Sequence, residues 1–211
     1  CAYNAEQILG CMEEARRGGV KLLVLPELCI TGYTCGDLFL QPTLLQQARA
    51  ALEHIRTGSH GSDLITIVGA PLLFESKLYN CAVFIQNGRF LAVVPKTYLP
   101  NYGEFYELRW FTPAPPQNDS VRIGEESVPF GTRILLCCEQ LPELCIAAEI
   151  CEDLWAADPP STSHAIAGAT VIVNPSCSDE IIGKAEYRRG LVQGQSARTL
   201  CAYAYADAGE G

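Results

Sequence analysis

The sequence predicts a layered α/β fold with a β-rich core and helices outside. Three observations carry that expectation. Amphipathic helical segments alternate with short, wholly apolar runs of strand character; two strand runs are joined by Asn87-Gly88; and strand runs outnumber helices. Such a count fits two sheets packed face to face and covered by helices.

The elements follow in chain order. "NAEQILGCMEEARRGG" sets Ile8, Leu9, Met12 and Ala15 at helical spacing and stops at a glycine pair. "VKLLVLPEL" reads as a buried strand ended by Pro26. "PTLLQQARAALEHIRTG" is a helix with a glycine stop, and "DLITIVGAPLL" a second buried strand. In "LYNCAVFIQNGRFLAVVPK" the Asn87-Gly88 pair predicts a hairpin, because both residues tolerate the positive φ of a type I′ turn. Residues 100–132, rich in Pro, Gly, Asn and aromatics, read as an irregular binding loop. Strands are expected in "TRILLCCEQ", "LCIAAEIC", "ATVIVNPS" and "CAYAYADAG", with helices over 159–168 and about 184–200. The chain opens directly on a helix and stops just after a strand, so both ends are expected to be cut, edge strands being missing.

Composition narrows the function classes. The 211 residues are 48% hydrophobic and 18% charged, which suits one sizeable core and one domain over 1–211. A formal charge of -9 with only 15 Lys+Arg argues against nucleic acid as a partner and for a small polar substrate. No apolar stretch is long enough to span a bilayer, so no membrane role is expected. The 11 cysteines sit mostly inside apolar runs, are odd in number and show no C-x-x-C spacing, a pattern that reads as a reducing, cytoplasmic setting. His54, His60 and His164 match no metal-ligand spacing, and no phosphate-binding glycine motif is present, so neither metal nor nucleotide cofactor is expected for this domain.

Three buried strands end on chemically capable residues: "LLVLPE" on Glu27, "LAVVPK" on Lys96 and "CIAAEIC" on Cys151. Residues just past the carboxyl ends of strands line the crevices of α/β proteins, so a carboxylate, an amine and a thiol are expected as neighbours. Singly, each has a plain alternative: a turn carboxylate, a surface amine, a buried small hydrophobe. Jointly those alternatives weaken, since both charged residues follow a strand proline.

The segments "LPELCITGYTCGDLF", "PKTYLPNYGEFYELRWF" and "EICEDLW" resemble the Glu-Lys-Cys motifs of the nitrilase (carbon-nitrogen hydrolase) superfamily. Glu152-Asp153-Leu154-Trp155 after the cysteine, "TGYTCGDLF", "SDEIIGKAEYRR" and "YADAGEG" are similar, more narrowly, to the amino-terminal glutaminase domains of glutamine-dependent NAD synthetases. The resemblance implies a four-layer α-β-β-α sandwich and hydrolysis of the L-glutamine amide through a thioester. Cys151 would be the nucleophile, Glu27 the general base and acid, and Lys96 the oxyanion partner, lowering the thiol pKa so that Cys151 is alkylated at neutral pH ahead of the other cysteines.

By the same resemblance a second glutamate positions Lys96 and substrate; Glu104 is favoured, with Glu107 its rival. Tyr33, Tyr102, Phe105, Glu152 and Trp155 are placed around the substrate, with Ser178 and Lys184 at the far side of the pocket, although aromatic residues more often simply pack. The family implies a carboxyl-terminal synthetase domain, absent from these residues, that receives the ammonia and uses ATP, Mg and deamido-NAD, and assembly as a homo-oligomer. A stand-alone amidase for another small amide and a non-catalytic α/β assembly domain stay open as alternatives.

Overall fold

The helical spacing of Ile8, Met12 and Ala15 is realised in α1 (Ala2–Arg17), whose buried face is Ala5, Ile8, Met12 and Ala15. The computed structural model describes residues 1–209; Glu210 and Gly211, the last letters of "YADAGEG", lie outside the described residues. Helix α2 (Pro42–Gly58) starts with proline at its first turn, where the missing N–H costs nothing, and buries Ala48, Ala51, Leu52 and Ile55. These two helices cover one face of a six-stranded sheet.

That sheet has the order β1-β2-β3-β4-β6-β5. β1 (Leu22–Val24) is shorter than "VKLLVLPEL" because Pro26 has no N–H to donate. β2 (Ile65–Phe74), β3 (Lys77–Gln86) and β4 (Arg89–Pro95) form the centre. The expected hairpin is present: Asn87 and Gly88 both have positive φ, 47° and 74°, and Gln86 pairs with Arg89. β5 (Asp119–Ile123) and β6 (Glu126–Phe130) form a second hairpin inside the stretch read as irregular. Its inward residues Val121, Ile123, Val128 and Phe130 alternate with the exposed Ser120, Arg122, Ser127 and Pro129, a short period-2 signal diluted by the surrounding Pro and Asn.

The second sheet has the order β10-β9-β8-β7, with β7 (Leu136–Cys137), β8 (Cys145–Ala148), β9 (Val171–Ser176) and β10 (Ala202–Asp207). The outer helices are α3 (Pro160–Ile166) and α4 (Lys184–Thr199). One apolar cluster joins Ile67, Ala82, Phe84, Ala92 and Val94 of the first sheet to Ile146, Ala148 and Val173 of the second. Another joins α1 and α2 to the opposite face of the first sheet through Leu52, Ile55, Val68, Val83 and Val93. A third packs Ala147 and Ile172 against Ala165, giving the order α-β-β-α.

One pair runs against the reducing setting read from the cysteines. Cys137 and Cys145 lie directly opposite in the β7–β8 pairing and form a disulfide; nine cysteines among the described residues are free. No helix among the described residues is long and apolar enough to cross a membrane.

Candidate active site

The strand ends predicted from sequence meet at Ser176-Cys177, the end of β9. Glu27 donates its N–H to Ser176 O at 3.2 Å and accepts the Cys177 N–H on Oε2 at 3.1 Å, which ties the end of the first sheet to the end of the second. The turn carrying Glu27 lies directly on β2. A Cβ built at Gly69 would stand 2.2 Å from Leu28 N and 2.6 Å from Pro26 O, so only glycine allows that approach. Lys96 is placed by its N–H on Asn80 O at 2.8 Å.

Lys96 is buried, and its ammonium lies 2.6 Å from Glu27 Oε1 and 2.6 Å from Glu107 Oε1. A buried charge persists only when paired and hydrogen-bonded. Asn80 Nδ2 donates to Glu27 Oε1 at 2.7 Å, and the Tyr33 hydroxyl donates to Glu107 Oε1 at 2.7 Å. Burial pushes the Glu27 carboxyl above the usual carboxylate range; Lys96 opposes that and Glu107 adds to it. On Lys96 burial favours the neutral amine, but the Glu27 and Glu107 carboxylates together outweigh it and hold the ammonium charged.

Cys151 is buried and adopts φ 43°, a left-handed conformation costing a non-glycine residue about 1–3 kcal/mol unless its surroundings over-determine it. Its neighbours are fixed by Asp153, whose carboxylate accepts the N–H groups of Ile150, Thr97 and Tyr98 at 2.8, 3.1 and 2.7 Å. One buried side chain therefore ties the turn of Cys151 to the segment following Lys96. Burial pushes the Cys151 thiol above the ordinary thiol range and the Glu27 carboxylate adds to this; Lys96, the Ser176 hydroxyl and the Cys177 N–H oppose without overcoming it. The expected lowering of the thiol by Lys96 is thus corrected in direction: burial raises it by more than Lys96 lowers it.

The model of the carbon-nitrogen hydrolase family matches residues 2–206. The chain belongs to the carbon-nitrogen hydrolase family. Among curated proteins, this carbon-nitrogen hydrolase is 44% identical over its whole length to a glutamine-dependent NAD(+) synthetase of Mycobacterium tuberculosis, covering 31% of that protein. It is 33% identical over 90% of its length to one of Homo sapiens, covering 28%. It therefore spans about a third of the length of the curated relatives it matches. A solved glutamine-dependent NAD(+) synthetase from Cytophaga hutchinsonii superposes with a TM-score of 0.85 at 36% identity, over 97% of this chain and 33% of that one. An amidase of Nesterenkonia sp. superposes at 0.75 with 19% identity, over 97% of this chain and 69% of that one, a likeness of fold.

Besides Glu27, the glutamate that reaches Lys96 is Glu107, the rival, and not the favoured Glu104. A short 3-10 turn (Glu107–Arg109) carries Glu107 inward, its N–H on Pro100 O at 3.1 Å, whereas Glu104 is exposed at a small recess with Tyr33, Phe105, Tyr106 and Trp110. Tyr33 and Tyr102 both meet Phe105 edge-on, at 6.2 and 6.0 Å between ring centroids. Lys184 Nζ sits 5.5 Å from the Phe105 ring and 5.2 Å from the Trp155 ring and pairs with Asp179. The Tyr102 hydroxyl donates to Glu152, at 2.9 Å from Oε2. Five of the substrate-pocket candidates thus form one connected rim of aromatic and charged groups with Glu152.

Ser178 is not joined to that rim by any side-chain hydrogen bond among the described residues; it is buried, with its N–H on Asp207 Oδ1 at 2.8 Å. Asn80 is the functional neighbour that sequence reasoning missed. A polar residue in the middle of the apolar run "LYNCAVFI" was its available signal, since a buried amide requires partners. A separate cavity of about 610 Å³ is lined by Thr97, Tyr98, Arg133, Pro159, Ser163 and His164, among others, and by none of Glu27, Lys96 or Cys151.

Chemically, the site offers a buried thiol, a carboxylate of raised pKa and a charged ammonium held by two carboxylates. That set can deliver a nucleophile, carry its proton and neutralise a developing oxyanion. Among the described residues no cluster of three or more His, Cys, Asp or Glu is arranged to hold a metal ion.

Proposed function

We propose that this chain hydrolyses the side-chain amide of L-glutamine and supplies ammonia to a synthetase region of the same protein. The meeting of Glu27, Lys96 and Cys151 at the end of β9 is the observation that carries this reading. The substrate follows from the glutamine dependence named for relatives at up to 44% identity.

Cys151 Sγ attacks the amide carbon while its proton passes to Glu27, whose raised pKa brings it closer to that of the thiol. The carbonyl oxygen, now negative, faces Lys96 Nζ, with the Glu152 N–H as a second donor. Glu27 returns the proton to the departing nitrogen, ammonia leaves, and a thioester remains. Glu27 then takes a proton from water, hydroxide attacks the thioester carbon, the C–S bond breaks and glutamate is released with the thiol restored. Glu107 holds the Lys96 ammonium against Glu27 throughout.

The rim of Tyr33, Tyr102, Phe105, Glu152, Trp155 and Lys184 suits the α-ammonium and α-carboxylate of glutamine: Glu152 is an anion for the first and Lys184 a cation for the second, with Ser178 assigned to the far side of the pocket. ATP, Mg and deamido-NAD belong to the proposed synthetase region, and no residue described here is assigned to them. Cytoplasmic location and homo-oligomer assembly are part of the same reading; nine free cysteines favour the first and the Cys137–Cys145 disulfide counts against it.

Incubation of the full chain with L-glutamine, with asparagine and short aliphatic amides as alternatives, tests the proposal by ammonia release. Glutamine is expected to be turned over and Cys151→Ala to abolish release. Absence of ammonia from glutamine, or unchanged release by Cys151→Ala, overturns it.

A further inference from the structure

Three polar side chains near the thiol take no part in the chemistry above: Glu149, Asn174 and Tyr203. They come from the ends or middles of three adjacent strands of the second sheet, and Glu149 and Asn174 are buried. The Cys151 N–H donates to Asn174 Oδ1 at 2.8 Å, at the residue whose backbone takes the left-handed φ of 43°. Asn174 Nδ2 donates to the Tyr203 hydroxyl at 2.9 Å, and Tyr203 in turn donates to Glu149 Oε1. Glu149 Oε2 accepts the Ser161 N–H at 2.7 Å.

The direction of these bonds follows from counting protons. An asparagine amide has nearly the same shape when turned by 180°, so its orientation is fixed only by its partners. An ionised carboxylate only accepts, and a tyrosine hydroxyl has one proton. With that proton committed to Glu149, Tyr203 can only accept from Asn174, which must present Nδ2 to it. Oδ1 is then left facing Cys151, where an acceptor is needed. The reversed amide would set an NH2 group against the Cys151 N–H, two donors with nothing between them.

We propose that Glu149, acting through Tyr203, fixes the amide orientation of Asn174, and that Asn174 thereby holds the Cys151 backbone in the left-handed turn that aims its thiol at Glu27 and Lys96. All three are positioning residues, since none touches the reacting atoms. The inference rests on the reading of Cys151 as the nucleophile. It separates two tasks: Glu27, Lys96 and Glu107 handle charge and protons on one side of the thiol, and Asn174, Tyr203 and Glu149 hold its backbone on the other.

The test uses the full chain bearing Asn174→Leu or Tyr203→Phe, with kcat and KM for glutamine and, separately, the rate at which iodoacetamide alkylates Cys151 at one fixed pH, read by peptide mass. Displacing a reacting group by about an ångström costs on the order of 100-fold, so Asn174→Leu is expected to lower kcat by about that factor with KM little changed. Its Cys151 alkylation rate should differ from the parent's in the same fixed-pH assay, and Tyr203→Phe should shift both in the same direction by less. A folded Asn174→Leu chain, judged by near-ultraviolet circular dichroism, with parental kcat and parental alkylation overturns the proposal. Should Asn174→Leu fail to fold, Tyr203→Phe removes only one oxygen, and parental values in that variant overturn it equally. If the parent chain releases no ammonia from glutamine, the glutamine reading falls alone, and the alkylation comparison still decides the positioning role.

Discussion

Glu107 Oε1 and Lys96 Nζ lie 2.6 Å apart, both buried, and the same carboxylate oxygen accepts the Tyr33 hydroxyl at 2.7 Å. Lys96 is thereby held between two carboxylates, and the three-residue difference between Glu104 and Glu107 becomes a difference between solvent and the centre of the site. Glu107→Gln keeps the shape and removes one charge from the ammonium. It is expected to lower kcat for amide hydrolysis by about 100-fold, the order found when a reacting group is displaced, because Lys96 loses one of the two carboxylates that hold it. Glu104→Gln should stay within a few fold of the parent. Equal losses in the two variants, measured by ammonia release, would contradict the assignment.

The Gly69 contact predicts an effect at a residue that touches no reacting atom. Any side chain there meets the backbone of Pro26, Glu27 and Leu28 within 2.8 Å, and backbone cannot rotate away as a side-chain tip can. Gly69→Ala should therefore shift the Glu27 turn away from β2 and weaken both the Lys96 and the Cys177 contacts. A kcat loss of about 100-fold is expected from such a displacement. Parental kcat in Gly69→Ala would show that the turn accommodates the methyl group.

The raised pKa values give a pH dependence with a definite sign. Glu27 must be ionised to accept the thiol proton, and its pKa lies above the ordinary carboxylate range because of burial. The rate should fall as pH drops through that raised value, so the acid limb of kcat/KM sits above the range of a free glutamate. Cys151 is also raised, chiefly by burial, so its alkylation should keep climbing with pH beyond the ordinary thiol range. The exposed, free Cys11 should be labelled first at neutral pH. A Cys151 labelling rate that levels off near pH 7 would restore the activated-thiolate expectation.

Much of this arrangement is legible in the sequence, for physical reasons. Glu27, Lys96 and Cys151 each end an apolar strand run, so their convergence follows once the strands pack, and the Asn87-Gly88 hairpin declares itself through turn chemistry. What sequence leaves open is which face of an irregular segment turns inward. Glu104 and Glu107 lie in the same aromatic loop, and only the 3-10 turn at Glu107–Arg109 decides between them. The direction of the thiol pKa is hidden from the sequence for a related reason: Lys96 can be counted there, whereas the burial that outweighs it exists only after the two sheets close. The β5–β6 hairpin is hard to read because its apolar residues alternate over only two positions per strand amid Pro, Gly and Asn, with no continuous apolar run such as marks the other strands.

Asp153 supplies the last prediction. Its buried carboxylate accepts N–H groups from Ile150, Thr97 and Tyr98, on two segments that share no strand pairing and carry Cys151 and Lys96. Asp153→Leu matches its size approximately but leaves those donors without an acceptor. Only the Ile150 N–H is fully buried, the other two being partly so, and one buried donor orphaned costs about 1–3 kcal/mol, so a destabilisation in that range is expected in denaturant melts. Asp153→Asn retains one acceptor oxygen, able to serve Thr97 and Tyr98 or Ile150 but not all of them, and should fall between the parent and Asp153→Leu. Activity should decline further than stability in Asp153→Asn, because the residue sets the spacing between amine and thiol as well as the fold around them. Should Asp153→Asn prove as active as the parent while losing stability, the carboxylate serves the fold alone, and the spacing of Lys96 and Cys151 is set by the sheets that carry them.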